Sequence, residues 1–384
     1  MPLPERPSLE YLRKLAKDRL PELRRVNAGA RLADAQLAVA REHGFTSWRT
    51  LRAHLDRDRL EERAARVDRL FAAVKRGDEA ELARVLDADP TLADARDAEG
   101  STPLLTAVDV HRPALVRLLL GRGADPRAVY GGSAHTPLSW AVTAESFDSA
   151  EALMQAGVEP DLFCAAGLGD VERIRAFFAA DGRLRPGASK TGSSRYAADG
   201  TRLPCPPPTA PEIVADALYM ACRAGREAAA RELLAHGPDL SFRAFAGATA
   251  LHWAHFAGAP AIAALLVEHG ANPAVRDPVL GCTPDAFGIN FAASWGWLSK
   301  VRELLARDRT LIDAPSARGG PLHEAAWGGA LGAAKLLVEA GADPGRRNAE
   351  GKTPLDLARE RPDRAGCVAV TEWLTGSAHE PRRP

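Results

Sequence analysis

The sequence predicts an all-α solenoid, in which short antiparallel helix pairs stack along the chain. The tripeptide Thr-Pro-Leu recurs at residues 102–104, 136–138 and 353–355, and a related Thr-Ala-Leu-His stands at residues 249–252. An Ala follows each copy at a fixed offset, and most successive units begin 33 or 34 residues apart. A period of this length is typical of a small unit that cannot bury its apolar face alone and must stack on its neighbours.

Each unit begins with a helix that the sequence marks at both ends. The Thr caps the helix, and the Pro after it suits the first turn, where its missing N–H costs nothing and its φ is already helical. Glycines at the tenth position, such as Gly258 and Gly329, end the helix in a left-handed conformation. An apolar run at helical spacing follows, as in Leu115–Leu119, and predicts a second helix. Turn signals of the type Gly-Ala-Asp/Asn-Pro close the unit at 123–126, 270–273 and 341–344.

This pattern resembles the ankyrin repeat, whose consensus reads G-x-TPLHxAAxxGH, then an amphipathic helix, then GAD. The match is closest over Gly247–Pro273 and Pro321–Pro344, and it extends roughly over residues 66 to 374. The resemblance implies a curved stack of helix pairs, with turns that project as fingers and a concave face that usually binds other proteins. It also implies that His252 and His323, each the His of the TPLH motif, make a structural hydrogen bond to a finger.

The ends of the chain depart from the repeat. Residues 1–60 are predicted to be helical over Leu9–Lys17, Asp34–Glu42 and Ser47–Leu55. We expect this segment to cap the array, because an uncapped terminal unit exposes an apolar face. Residues 61–374 are predicted to form about eight repeats plus a C-terminal half repeat, and residues 375–384 a disordered tail.

Three irregularities lie inside the array. The fourth unit begins at Pro160 without a finger before it. Residues 183–211, rich in Gly, Ser and Pro and without periodicity, are predicted to be a flexible surface insertion that lacks regular structure. Five surplus residues around Thr283–Asn290 leave the register of the seventh unit open.

Composition favours a soluble protein with no global electrostatic field. The chain carries 50 acidic and 50 basic residues, so nothing in its net charge attracts nucleic acid or an anionic membrane. The five Cys residues are dispersed without a CxxC, which indicates neither a disulfide framework nor a zinc knuckle. The N-terminal segment lacks the apolar core of a signal peptide, and no run approaches 18 apolar residues. We therefore expect a cytoplasmic monomer.

The search for catalytic and metal-binding residues yields no site. Lys190-Thr191-Gly192 matches one element of serine β-lactamases, but the partner motifs are missing. His252 and His255 lie three residues apart on one helix without the third ligand that a zinc site requires. The prediction is a protein without catalytic residues, metal or cofactor.

Aromatic residues mark a candidate partner-binding surface. Positions eight and nine of each unit lie late in the first helix, where the ankyrin resemblance implies that they face the concave surface. These positions hold Phe256, Trp295 and Trp327 in units six to eight, whereas the N-terminal units carry mostly polar residues there. Aromatic clusters of this kind are typical of interface hot spots. The further candidates are the neighbouring rings Trp253 and Trp297 and the finger residues Phe245, Glu350 and Lys352. The alternative is that the rings pack between stacked helices.

The function predicted from these features is a non-catalytic scaffold that presents a concave groove to a protein partner. One alternative is a regulator whose N-terminal segment contacts nucleic acid. Residues 36–48 resemble a helix-turn-helix, and Arg49, Arg52 and His54 lie on the following helix, but Asp56 and Asp58 there have the wrong sign for phosphate. A second alternative is an accessory or immunity subunit of an enzyme or toxin.

Overall fold

A computed structural model describes residues 8–130, 135–190, 192–197, 199, 201–203, 207 and 209–377. The chain divides into two compact units, one ending at Glu99 and the other beginning at Gly100. Of the sequence features discussed above, Thr191 of the Lys-Thr-Gly motif, Cys205 and the tail beyond residue 377 lie outside the described residues.

The first unit consists of four α-helices and a short 3-10 helix at Pro90–Asp94. The α-helices are α1 (Leu9–Val26), α2 (Leu32–Glu42), α3 (Trp48–Arg76) and α4 (Glu79–Ala88). The first three helices share a core that includes Leu12, Val39 and Leu51. Helix α3 runs through residue 60, the predicted end of the N-terminal cap, and its second half pairs with α4 as the first repeat.

The described residues of the second unit form eight consecutive helix pairs, a two-stranded ribbon and short 3-10 helices at Phe245–Gly247 and Arg309–Asp313. The helices are α5 (Pro103–Asp109), α6 (Pro113–Gly121), α7 (Pro137–Thr143), α8 (Phe147–Gln155), α9 (Leu162–Leu168), α10 (Val171–Ala176), α11 (Ala210–Arg223), α12 (Glu227–Leu234), α13 (Ala250–Ala257), α14 (Pro260–Glu268), α15 (Pro284–Trp295), α16 (Leu298–Arg307), α17 (Pro321–Gly328), α18 (Leu331–Glu339), α19 (Pro354–Arg359) and α20 (Ala365–Ser377). The strands are β1 (Arg195–Tyr196) and β2 (Arg202–Leu203). The predicted all-α solenoid is therefore confirmed.

The first helix of each pair packs on the first helix of the next, from α5 through the odd-numbered helices to α19. We call this row of first helices the inner row. The second helices pack beside it, with α6 on α8, α10 on α12 on α14, and α16 on α18 on α20. Mostly Leu, Val, Ile and Ala side chains fill the space between the rows.

The Thr-Pro motifs begin helices as predicted. The hydroxyls of Thr102, Thr136 and Thr353 each accept a hydrogen bond from the backbone N–H three residues on, with Pro at the first helical position. The imidazole Nε2 of His252 lies 3.3 Å from the carbonyl oxygen of Cys282, and that of His323 lies 3.3 Å from the carbonyl oxygen of Lys352. Both contacts join one unit to the finger of the next, as the ankyrin resemblance implies.

The seventh unit accommodates its surplus residues by lengthening its first helix. Helix α15 starts after Thr283 and has 12 residues, against 8 in α13. The added turn lies at its N-terminal end, so Ala292 and Ala293 keep their buried positions. The buried Asn290 in this helix donates to the carbonyl oxygens of Ala286 at 2.8 Å and Ala314 at 3.1 Å.

The insertion at 183–211 packs against the repeats and contains regular structure. Strands β1 and β2 pair antiparallel within it, so the prediction that it lacks regular structure is wrong there. The segment before β1 also occupies the place of the missing finger, because Leu162 N–H donates to the Ala188 carbonyl at 2.8 Å. Lys190 N–H likewise donates to the Asp161 carboxylate at 3.0 Å. The missing finger and the long insertion are thus one structural feature.

The C-terminal half repeat of the prediction is a complete helix pair. Helices α19 and α20 contact each other, and α20 also contacts α17 and α18. Val370 and Leu374 of α20 are buried against Ala326 and Ala358. Residues 375–377 of the predicted tail belong to α20.

Candidate functional site

The inner row lines one pocket of about 640 Å³ within the second unit. Its lining residues come from the C-terminal ends of first helices, from finger residue Phe245, from the start of α16 and from Ser193 and Ser194 of the insertion. Asp109 at the end of α5 and Trp295 at the end of α15 both line it, although five helix spacings separate their helices. Neighbouring helices lie about 8–10 Å apart, so a flat row would separate these residues by roughly 40–50 Å. A common pocket therefore requires the inner row to curve.

Gly167 in α9 allows part of this curvature. It occupies the eighth position of the fourth unit, and its Cα is so closely packed that an added Cβ would lie 2.3 Å from Cγ1 of Val142. With no side chain there, α7 and α11 meet across α9. The Arg223 guanidinium of α11 donates to the carbonyl oxygen of Thr143 in α7 at 3.1 Å, although the repeat formed by α9 and α10 lies between them in sequence.

Aromatic rings form one side of the pocket, and Trp295 is the most exposed of them. Trp295 is 58% exposed, and it is the only exposed residue among the seven tryptophans, all of which lie in the part of the chain that the structure describes. Its ring centroid lies 6.3 Å from that of Phe245, 6.3 Å from that of Trp297 and 5.8 Å from that of the buried Phe291. The indole is therefore backed by a rigid cluster and presents its free surface to the pocket.

Two of the predicted contact residues belong to the core. Trp253 is completely buried, with ring centroids 5.1–5.5 Å from those of Phe256, Phe287, Phe291 and Tyr219. Phe256 is 3% exposed and only its edge reaches the pocket, because Trp253, Trp297 and the Lys300 ammonium surround its ring. The prediction of an exposed strip that runs through Phe256 is therefore wrong. The physical reason is that these rings pack between stacked helices, which was the alternative interpretation of the sequence.

Trp327 is half-buried and both partners of its ring are cations. The guanidinium carbon of Arg318 lies 4.9 Å from the ring centroid, and that of Arg361 lies 4.8 Å from it. Arg361 also donates to the Trp327 carbonyl oxygen at 3.2 Å. Trp327 is absent from the residues that line the pocket, so it does not extend the aromatic surface around Trp295.

Comparison with known proteins identifies this architecture. A family model described as "Ankyrin repeats (3 copies)" matches residues 70–164 and 211–277, and a second, "Ankyrin repeats (many copies)", matches residues 312–358. Together they cover more than half of the chain. The chain belongs to the ankyrin-repeat family. The unmatched residues between 164 and 211 contain the insertion, and those between 277 and 312 contain the lengthened α15.

Curated relatives match only parts of the ankyrin-repeat chain. "B-cell lymphoma 3 protein homolog" of Mus musculus is 31% identical over 149 residues, which cover 38% of this chain and 32% of the relative. "Ankyrin repeat and SOCS box protein 11" of Danio rerio is 36% identical over 113 residues, 29% of this chain and 36% of the relative. "Tyrosine-protein kinase HTK16" of Hydra vulgaris is 30% identical over 174 residues, 41% of this chain and 22% of the relative. The chain thus spans about a third or less of these relatives' lengths.

Two ankyrin fingers carry the remaining predicted candidates. Phe245 is half-buried and lines the pocket. Glu350 and Lys352 lie in the finger before α19, where the Lys352 ammonium is 2.9 Å from the Glu350 carboxylate and 2.7 Å from that of Glu360. The hydrogen bonds that the Lys352 ammonium donates to Glu360 and to Glu350 raise the pKa of Lys352, and the second of these bonds lowers the pKa of Glu350. Their role at the rim of a partner-binding surface stays a prediction.

The polar side of the pocket centres on Arg223, which the sequence reasoning missed. Arg223 lies at the eighth position of the fifth ankyrin repeat, the same position that singled out Phe256 in the sixth. Applying the positional rule to this degenerate repeat would have found it. The buried His135 lies nearby, and burial, followed by the Arg223 charge, lowers its pKa to about 4, so the imidazole is neutral at pH 7.

The insertion is fastened beside the pocket by a buried carboxylate. Ser193 donates to Asp216 of α11 through its backbone N–H, at 3.0 Å, and through its hydroxyl. Burial raises the pKa of Asp216 to about 7, although both Ser193 hydrogen bonds act in the opposite direction. Arg195 of β1 lies almost fully buried and forms an ion pair with Glu212 at 3.1 Å. These contacts hold Ser193 and Ser194 against the pocket.

Other sequence features contribute no site to the described residues. His255 is part of no metal-binding cluster of His, Cys, Asp and Glu within them. On α3, the Arg52 guanidinium pairs with Asp56 at 3.5 Å and the His54 imidazole lies 3.3 Å from the Asp58 carboxylate, so both side chains have acidic neighbours on their own helix. No helix in the described part of the chain has the length and apolar character to cross a membrane.

Proposed function

We propose that this ankyrin-repeat chain is a non-catalytic scaffold that binds a protein partner on the inner row, with Trp295 as its central contact. Ankyrin repeats are generally non-catalytic interaction modules, which supports the class of function. The observation that carries the finer proposal is the exposure of Trp295 on a buried aromatic backing. Truncating an interface hot-spot residue of this type typically costs about 2 kcal/mol or more in binding.

The contact surface that we propose consists of Trp295, Trp297 and Phe245. Trp295 and Trp297 flank the turn between α15 and α16, and Phe245 belongs to the preceding finger. Rings held by packing lose little conformational freedom on association, which reduces the cost of binding. Trp253 and Phe256 pack beneath these rings and are not part of the proposed contact surface.

We also propose that the protein acts as a monomer in the cytoplasm. The four described cysteines, Cys164, Cys222, Cys282 and Cys367, are all buried free thiols. Free thiols are the usual state in a reducing compartment. Size-exclusion chromatography with light scattering would test the monomer, and a dimer mass at micromolar concentration would contradict it.

Capture experiments with matched variants test the contact surface. The immobilised full chain is used to capture proteins from a lysate, and the captured protein is purified for affinity measurement. Trp295→Ala should weaken its binding about thirtyfold or more. The control is Val267→Ala, since Val267 is 44% exposed on α14. Helix α14 is one of the second helices of the pairs, which we call the outer helices. Equal affinity of both variants and the wild type would contradict the proposal.

A further inference from the structure

The inner-row pocket has the size and lining of a small-molecule site. Its volume of about 640 Å³ falls within the range of about 300–1,000 Å³ that is typical of ligand pockets. Rings of Trp140, Trp295 and Trp297 provide flat apolar surface, and polar side chains, including Arg223, Thr143 and Ser193, surround them. Such a lining suits a ligand with a planar apolar body.

Arg223 supplies an unsatisfied positive charge to this lining. Its guanidinium is half-buried and donates only to the Thr143 carbonyl at 3.1 Å and, weakly, to the Tyr219 hydroxyl at 3.4 Å. Its Nε is buried without an acceptor, and no carboxylate among the described residues lies within ion-pair distance of it. A guanidinium carries five donors in a fork that matches a carboxylate. Each terminal nitrogen of Arg223 has two N–H groups and uses one of them in these contacts, so one N–H on each is left for an acceptor in the pocket.

The other charges of the pocket leave the Arg223 charge uncompensated. The Lys300 ammonium pairs with Glu303 at 2.9 Å, and Glu303 also pairs with Arg307 at 3.1 Å. The carboxylates of Asp109 and Glu145 are exposed to solvent, and Asp109 accepts a hydrogen bond from the Trp140 indole at 3.2 Å. Solvent therefore screens the Asp109 and Glu145 charges strongly. The guanidinium carbon of Arg223 lies 4.8 Å from the centroid of the Trp253 ring, where the lower dielectric leaves its charge less screened.

We infer that the pocket binds a small organic anion, in which a planar aromatic body packs among the tryptophan rings and a carboxylate pairs with Arg223. This inference goes beyond the proposed protein partner, because it concerns a ligand that binds the chain alone. The ligand would lie between α7, α11 and α15, and would also contact the insertion at Ser193. Binding would thus join repeats that are distant in sequence.

Isothermal titration of the purified full chain with 2-naphthoate tests the inference. Neutral 2-naphthamide has the same rings without the charge, so it separates the role of the carboxylate from that of the apolar body. We expect saturable binding of 2-naphthoate with a Kd of about 1 mM or tighter, and binding of 2-naphthamide at least about tenfold weaker. Equal affinity of the two probes, or the absence of saturable binding of 2-naphthoate, would overturn the inference.

Variants locate the binding within the pocket. Arg223→Met keeps an apolar stem of similar length and should weaken 2-naphthoate binding about tenfold or more. Arg231→Met is the matched control, because Arg231 is an exposed residue of α12 that does not line the pocket. Circular dichroism establishes whether each variant is folded. Trp295→Ala provides a second test that does not depend on Arg223, and it should also weaken binding. Unchanged affinity in either pocket variant would contradict the assignment.

The titration and the capture experiment fail independently. The titration contains no protein partner, so a negative result would leave the proposed scaffold function unaffected. Loss of partner capture in Trp295→Ala with normal 2-naphthoate binding to the wild type would support both. Partner capture that is insensitive to Trp295→Ala would overturn only the contact surface.

Discussion

Gly167→Ala should destabilise the ankyrin stack by separating α7 from α11. The new Cβ would lie 2.3 Å from Cγ1 of Val142 and 2.9 Å from Cγ of Met220. Carbon atoms in ordinary contact are about 3.5–4.0 Å apart, so the Val142 methyl must move by more than about 1 Å. Valine in a helix is nearly confined to one rotamer, and therefore the helix itself has to shift.

The net cost of this substitution follows from two opposing terms. Overpacking of a core costs about 1–3 kcal/mol, whereas replacing a helical Gly by Ala gains about 0.5–1 kcal/mol. We expect a net loss of about 1–2 kcal/mol in the free energy of unfolding, and a Tm lower by roughly 2–4 °C. Displacement of α7 should also break the hydrogen bond from Arg223 to Thr143 and so weaken the curvature of the inner row.

Thermal and urea unfolding, followed by circular dichroism, provide the assay. Gly121→Ala is the matched control, since Gly121 also lies in a helix but has no atom within 4 Å of the added Cβ. It should be neutral or stabilising by up to about 1 kcal/mol. A Gly167→Ala variant as stable as the wild type, or as stable as Gly121→Ala, would refute the close approach of α7 and α11.

Three further predictions concern buried groups. Trp253→Ala should lower the free energy of unfolding by about 3–5 kcal/mol, whereas Trp295→Ala should change it by less than about 1 kcal/mol; similar losses in both would contradict the division into core and surface rings. Arg318→Ala should cost about 3 kcal/mol or more in urea unfolding, because it leaves the fully buried Glu324 carboxylate without the partner that lies 3.0 Å away. The stability contributed by Asp216 should fall as pH rises, and Asp216→Asn should remove this dependence in urea titrations at pH 5 and pH 7.5.

The sign of the Asp216 effect follows from its raised pKa. An ordinary Asp has a pKa of 3.8, and burial raises that of Asp216 to about 7, with the Asp161 charge adding to the rise and the Arg195 charge opposing it. Between these values the unfolded chain has already lost the proton that the folded chain retains, so stability decreases with pH and levels off above about 7. Burial lowers the pKa of His135 and of His252 from 6.5 to about 4. Between these values the two imidazoles make stability increase with pH, which opposes the effect of Asp216. The difference between the wild type and Asp216→Asn isolates the carboxylate, and an identical pH dependence in both would contradict its raised pKa.

The helical stack was predictable because its signals are local. A Thr cap, a Pro in the first turn and a Gly at the helix end act within one unit, and their recurrence fixes the stacking. The length of α15 was harder to predict. Thr283 is a good helix cap, but it begins the seventh unit in a different register from the one that its alanines indicate. Only the packing of Ala292 and Ala293 decides that the extra turn lies at the N-terminal end of the helix.

The candidate site was predictable in position but not in detail. Counting residues within a repeat selects Trp295, which lines the pocket, but it also selects Trp327, which does not. Counting does not show what covers a ring, and neighbouring repeats bury Phe256 through Trp253 and Trp297. The curvature that brings Asp109 and Trp295 into one pocket depends on a missing side chain at Gly167, which has no periodic signal.

The insertion shows why composition alone was insufficient. Its Gly, Ser and Pro content suggests a flexible loop, yet two of its anchors are backbone N–H groups, those of Lys190 and Ser193. Their acceptors, Asp161 and Asp216, belong to the repeats on either side. Every residue except Pro has a backbone N–H, so residue type does not indicate which of these groups form contacts.

Hydrogen–deuterium exchange of the full chain, with and without its captured partner, tests the proposed binding surface most directly. Protection should appear in peptides that cover the Phe245 finger and the turn from Trp295 to Trp297, where the proposed contact residues lie. Peptides from α14 and α18, among the outer helices, should exchange at unchanged rates. Protection confined to those outer helices or to the first unit, with none around Trp295, would contradict the account.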